Sequence, residues 1–187
     1  MKESTKTNIW IFIGVFISFL IANEIYTQVN KPASGKSSRL ECHKKGATFE
    51  KVVNQELIRK LKYSLHYNYF KVVVWADKAK YMESVMFDYV DVNVIKNNMI
   101  NKIKQYSDKR SLTEDKVVID VMIYENDKKD PGKKTKKSKL YAGYIEVTIK
   151  VNKSIVYKIQ TDFMDLEGKD IPQRITCIVK SIMTLKE

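Results

Sequence analysis

The chain has 187 residues, enough for one domain of ordinary size with its attachments. Its 34 Lys and Arg against 22 Asp and Glu give a net charge of +12, and 44% hydrophobic residues supply a packed core, which excludes a disordered chain. Two Cys and two His exclude a disulfide-dense scaffold, a four-cysteine zinc site and a multi-histidine metal site within one chain.

The first element is apolar. Lys2 and Lys6 precede the run Ile9 to Ala22 (IWIFIGVFISFLIA), which carries no charge. As a helix this run spans about 21 Å, short of a ~30 Å hydrocarbon core, but its flanks out to Tyr26 bring it to roughly 20 residues. A basic start followed by an apolar run is the pattern of an export signal, and Leu20-Ile21-Ala22 makes a poor cleavage site. The expectation is therefore an uncleaved signal anchor over residues 1–26. A cleaved signal peptide and a buried core helix are the alternatives. Lys31, Lys36 and Arg39 oppose the positive-inside bias, yet the basic start favours a short cytoplasmic tail and an exported body. The protein is then a single-pass protein of the inner (cytoplasmic) membrane with a periplasmic or otherwise extracytoplasmic domain.

Residues 27–47, with Pro32, Ser34, Gly35, Ser37 and Ser38, read as a polar basic tether. The Gly35-Lys36-Ser37 triplet within them resembles the end of a phosphate loop. Position 30 is Asn where that loop needs Gly, and no strand precedes it, so a nucleotide site is rejected.

Residues 48–187 have the size of one domain. Thr48 fits the cap of a helix from about Phe49 to Tyr63, with Val53, Leu57 and Leu61 spaced by four. Tyr69 to Trp75 is β-branched and aromatic, hence a strand, and Glu83 to Tyr89 is a weaker strand candidate. Ile95, Met99 and Ile103 predict a helix within Val90 to Tyr106. Three alternating strands follow, carrying Val117 to Ile123, Ile145 to Val151 and Ile155 to Phe163, with Asn152-Lys153 as the turn between the last two. Gly168, Pro172 and the pair Asp170/Gln173 open a final helix with a broad apolar stripe, Ile171 to Leu185. The fold class that buries these stripes is α+β, an antiparallel sheet of about four to five strands with helices packed on one face.

The charge is not spread evenly. Residues 31–45 carry a net +4 and residues 128–139 a net +6, which leaves +2 for everything else. The second stretch is a lysine-rich hairpin loop over residues 126–139. Its Lys128, Lys129, Lys133, Lys134, Lys136, Lys137 and Lys139 are candidate contacts to an anionic surface, each contributing ~1 kcal/mol near an anionic membrane. The simpler reading is a solvated hairpin tip that blunts a sheet edge. No Arg or aromatic interleaves these lysines, which disfavours nucleic acid as a partner.

Cys42 and Cys177 admit one disulfide if the body is exported, while Cys177 beside the apolar stripe also reads as a small core residue. Asp162, Asp165, Glu167 and Asp170 lack the spacing of a calcium loop and suit capping. No convergent acid, base, nucleophile or metal set is evident. The expectation is no catalytic residue, no cofactor, no metal and no small-molecule substrate. The sequence thus points to a membrane-anchored, non-enzymatic envelope protein that binds or scaffolds partner proteins, as an accessory subunit of secretion, motility or cell-wall machinery. The alternative is an electrostatic binder of anionic lipid or nucleic acid through the lysine hairpin.

Overall fold

The computed structural model describes residues 37–107, 116–133 and 135–187. The expected signal anchor, the tether up to residue 36, and Lys134 lie outside the described residues. No described helix is long and apolar enough to cross a membrane.

The body is an α+β domain with a five-stranded sheet and helices against it. A short 3-10 helix, Glu41–Lys45, leads into β1 (Thr48–Val52). Then come α1 (Ile58–His66), β2 (Phe70–Asp77), the one-turn α2 (Met86–Tyr89), α3 (Val92–Lys104) and β3 (Val117–Glu125). The chain closes with β4 (Gly143–Val151), β5 (Ser154–Phe163) and α4 (Ile171–Met183). The strand order is β1-β5-β4-β3-β2, so α1 carries the chain from one edge of the sheet to the other.

Three of the four pairings are antiparallel, and β2 runs parallel to β3. The sheet is therefore mixed, where an all-antiparallel one was expected. The physical reason is the long connection after β2, which includes α3 and permits a crossover that a tight turn forbids. One core unites the inner face of the sheet, with Val72, Ile119, Ile145 and Ile159, with Leu61 of α1, Met99 of α3 and Ile175, Ile178 and Ile182 of α4.

Two local expectations fail. Residues 48–52 are a strand and the helix starts only at Ile58. Pairing of Thr48 with Thr161, far along the chain, outweighs a stripe of three apolar residues. Glu83 to Tyr89 is a loop ending in one helical turn, and its Val85 N–H is taken by the Glu125 side chain of β3 rather than by a strand partner.

The body also begins earlier than Thr48. Residues 37–47, assigned to the tether, pack against β1 and α4, and Cys42 is bonded to Cys177 of α4. Asn152 and Lys153 adopt φ 49° and 74°, the left-handed pair of a two-residue hairpin turn between β4 and β5.

Candidate interaction surface

Three groups of polar or exposed residues stand out, and their geometry separates structural work from a surface fit for binding. The first is the tripeptide Glu125-Asn126-Asp127 at the end of β3. All three residues are buried. Glu125 accepts from the backbone N–H groups of Ala79 (2.9 Å) and Val85 (3.2 Å). Asp127 accepts from those of Lys80 (2.7 Å) and Tyr81 (2.6 Å). Asn126 donates to the carbonyls of Ser138 (3.0 Å) and Tyr141 (2.8 Å). Against the cost of its burial, the N–H groups of Tyr81, Lys80 and Lys129 and the charge of Lys133 hold the Asp127 carboxyl below its ordinary value. These side chains fix the loop after β2 and the lysine hairpin at once. They give buried backbone groups partners and leave no free acid or base.

The second group lies where the segment 37–47 meets α4. Glu50 accepts from Ser37 Oγ (2.6 Å), from Arg39 Nε (2.9 Å) and Nη2 (2.8 Å), and from the Tyr157 hydroxyl. Burial alone would raise its pKa. The hydrogen bonds from Arg39, Ser37 and Tyr157 instead hold it at about 2. Burial, and then the hydrogen bond to Glu50, push Tyr157 well above the usual phenol range. Arg39 also donates to the carbonyls of Ser181 (2.8 Å) and Thr184 (3.2 Å), so it caps the C-terminal turn of α4. A cleft of about 490 Å³ opens beside this pair, lined by Arg39, Glu50, Tyr157 and Leu185 among others.

His43 places Nδ1 3.0 Å from Ser37 Oγ and Nε2 2.7 Å from Ser181 Oγ. Serine, imidazole and carboxylate thus stand in sequence, as in a nucleophilic triad. Access and chemistry argue against one. His43 and Ser181 are fully buried. The Ser181 hydroxyl donates to the Cys177 carbonyl at 2.9 Å, and Glu50 already has four donors. Burial lowers the His43 pKa, favouring the neutral ring. Cys42, His43 and Cys177 bring three ligand-type atoms within 4.8 Å of one another. Both sulfurs are spent in the disulfide, so they are not thiolate ligands in this state.

The third group is the face of the sheet away from the helices. The register lays its side chains out in rows across the strands. One row runs Asp77, Tyr124, Tyr144, Asp162, and the next runs Trp75, Met122, Glu146, Gln160, Phe49. A third runs Val73, Asp120, Thr148, Lys158, Lys51. Tyr124 and Tyr144 stack with centroids 4.6 Å apart and planes 20° apart. Burial raises both phenols, Tyr144 to about 12, so both are neutral donors at physiological pH. Lys150 pairs with Asp120 at 2.7 Å. Trp75 is 59% exposed. The connections leaving the Asp77–Asp162 end of the sheet, α2 included, expose Tyr81, Val85, Phe87, Leu140, Met164 and Leu166. The helices α1, α3 and α4 pack into the core on the opposite side, while Lys158 and Asp162 of these rows are themselves buried.

The lysines of the hairpin are not equivalent. Lys129, Lys136 and Lys139 are exposed, and Lys128 is half-buried. Lys133 turns inward and donates to Asn126 Oδ1, so it belongs to the fold. The acidic group before α4 is likewise committed. Asp170 accepts from the N–H groups of Met164 (3.0 Å) and Asp165 (3.3 Å) and holds Arg174. It does not cap the helix in the box expected with Gln173.

Sequence reasoning missed Glu125, Asn126 and Asp127, whose only signal was three polar residues directly after an alternating strand. It missed Arg39 and Glu50, which are far apart in type of segment and meet only through the disulfide-bonded corner.

No family model matches the chain, and no curated protein matches it. Among solved structures, the chain is similar to a PelC dodecamer from Paraburkholderia phytofirmans, at 12% identity and a TM-score of 0.33, over 74% of this chain and 96% of that one. A likeness that distant carries no argument about function.

Proposed function

We propose that this chain is a membrane-anchored, non-enzymatic envelope protein whose α+β body binds a partner protein through the open face of its sheet. The observation that carries the reading is that face. It sets Trp75, Met122, Phe49 and the Tyr124–Tyr144 stack beside the Lys150–Asp120 pair, on the side of the sheet opposite the helices. Aromatic and Met side chains rimmed by polar groups are the composition of protein-binding surfaces. The buried polar groups support the same reading from the other side, since their oxygens and nitrogens are consumed by the fold. The Cys42–Cys177 bond supports exposure to an oxidising compartment, where such bonds persist. The N-terminal apolar run supplies the anchor, and the body serves as an accessory subunit of secretion, motility or cell-wall machinery.

Two linked measurements test this. A C-terminal reporter active only outside the cytoplasm reads the topology, and a cytoplasmic signal would overturn the localisation. A photo-crosslinking residue placed at Trp75 or Met122 is then compared with one at exposed Lys180 on α4. The expected result is a discrete crosslinked species from the sheet face alone. Equal crosslinking from both positions, or none from the sheet, would remove the face as the binding surface.

A further inference from the structure

The edge strand β2 carries unlike charges towards its two ends, Lys71 and Asp77. β3 pairs with one side of β2, and no described residue hydrogen-bonds to the backbone on the other side. An edge of eight residues without Pro or bulge is an invitation to strand addition. Lys71, Val73, Trp75 and Asp77 lie on the open face, and Val72, Val74 and Ala76 on the helix side.

We propose that β2 pairs antiparallel with β2 of a second copy of this chain, about a two-fold axis through Val74, to make a continuous ten-stranded sheet. A two-fold perpendicular to the sheet keeps both helix layers on one side, and it requires the axis to pass at a residue. Three centres lie near the middle of the strand. A centre at Val73 sets Lys71 against Trp75 and Asp77 against Tyr69. A centre at Trp75 sets Asp77 against Val73 and Lys71 against Ala79. Only the centre at Val74 sets Lys71 opposite Asp77, twice by symmetry, and Val73 opposite Trp75, also twice. The same register brings Val72 to Ala76 and Val74 to itself on the helix side. Unlike charges and an aromatic–β-branched pair directly opposite each other are the stabilising cross-strand combinations. The pairing also covers part of Trp75, the exposed aromatic side chain of β2. It shares Trp75 with the open face, which it would double in width.

The test uses the full-length chain in mild detergent, with sedimentation to read its oligomeric state. Wild type is expected to reach a dimer. Lys71→Asp or Asp77→Lys alone places two like-charge contacts at the interface and should weaken dimerisation about tenfold or more. The double swap Lys71→Asp with Asp77→Lys should restore it. Both side chains are exposed, so at concentrations too low for dimerisation thermal unfolding should be the same in every variant. A second readout needs no substitution, because amide exchange of Val72 to Ala76 should slow as wild-type concentration rises. Wild type that stays monomeric at its highest soluble concentration, with exchange independent of concentration, would overturn the proposal. So would a dimer indifferent to the single swaps.

Discussion

Glu50 shows how a single carboxylate can be read as machinery and turn out to be a fastener. Its two oxygens accept from Ser37, Arg39 and Tyr157, and the group titrates at about 2 where the ordinary value is 4.5. A carboxyl whose folded pKa is depressed stabilises the protein fully above its unfolded pKa. The contribution is lost as pH falls through the folded value. Glu50→Gln should therefore cost roughly 1.5–3 kcal/mol near neutral pH, the usual size for hydrogen bonds to a charged group. The gap from wild type should close as pH drops from 4.5 to about 2. Urea unfolding across that range measures it, and a gap independent of pH would show that the carboxylate is not the group that matters. Gly143 makes a second prediction at this scale. A Cβ there would collide with the Tyr124 carbonyl oxygen and the Phe163 ring. One obstacle is backbone in a ladder and the other is a fully buried side chain, so neither can yield cheaply. Gly143→Ala should lower stability by ~1–3 kcal/mol, read as a fall in melting temperature.

At the scale of elements, the segment 37–47 changes meaning between sequence and structure. Its Ser, Lys and Gly residues give it the composition of a linker, yet His43 is fully buried and Arg39 caps α4. What orders it is a bond between residues 135 positions apart, together with contacts that exist only once α4 has docked. No local pattern announces such a corner. The three strands β3, β4 and β5 were legible for the opposite reason. Their alternation is local, and Asn152-Lys153 joins the last two by a turn of two residues. β2 was legible as a strand but not its direction, because a run apolar on both faces carries no register. β1 was not legible at all, since five residues paired across the whole domain offer too short a period to separate strand from helix. The open face was half visible, as the polar positions of the alternating strands. Its rows needed the strand order. The disulfide leads to a prediction for this corner. In the loop-entropy view, closing a loop of this length contributes about 5 kcal/mol. Cys42→Ser with Cys177→Ser should cost up to that amount, and exchange of amides in residues 41–45 should rise before that of β4. Uniform loss of protection would show that the corner does not open separately.

For the whole molecule, the net charge of +12 is a matter of placement. Outside residues 31–45 and 128–139 the chain carries only +2, so the positive excess sits on the segment leading into the sheet and on one hairpin. The hairpin itself divides into lysines that face water and one that serves the fold. Asn126 is fully buried, and its side-chain oxygen has Lys133 as donor. Removing Lys133 leaves that oxygen without its partner, and an unsatisfied buried acceptor costs ~1–3 kcal/mol. Lys129, Lys136 and Lys139 are exposed, where substitutions usually stay within about 0.5 kcal/mol. Replacing those three with Ser should leave the melting temperature unchanged and reduce salt-sensitive binding to anionic vesicles, if the tip meets a lipid surface. Lys133→Met should do the reverse, lowering the melting temperature while leaving vesicle binding nearly intact. Both quantities are read on the same preparations, so each variant controls the other. Equal destabilisation by the two sets would mean that the hairpin is one structural unit and its charge incidental. Separate effects would mean that the chain keeps its fold and its electrostatic reach on different lysines of one loop.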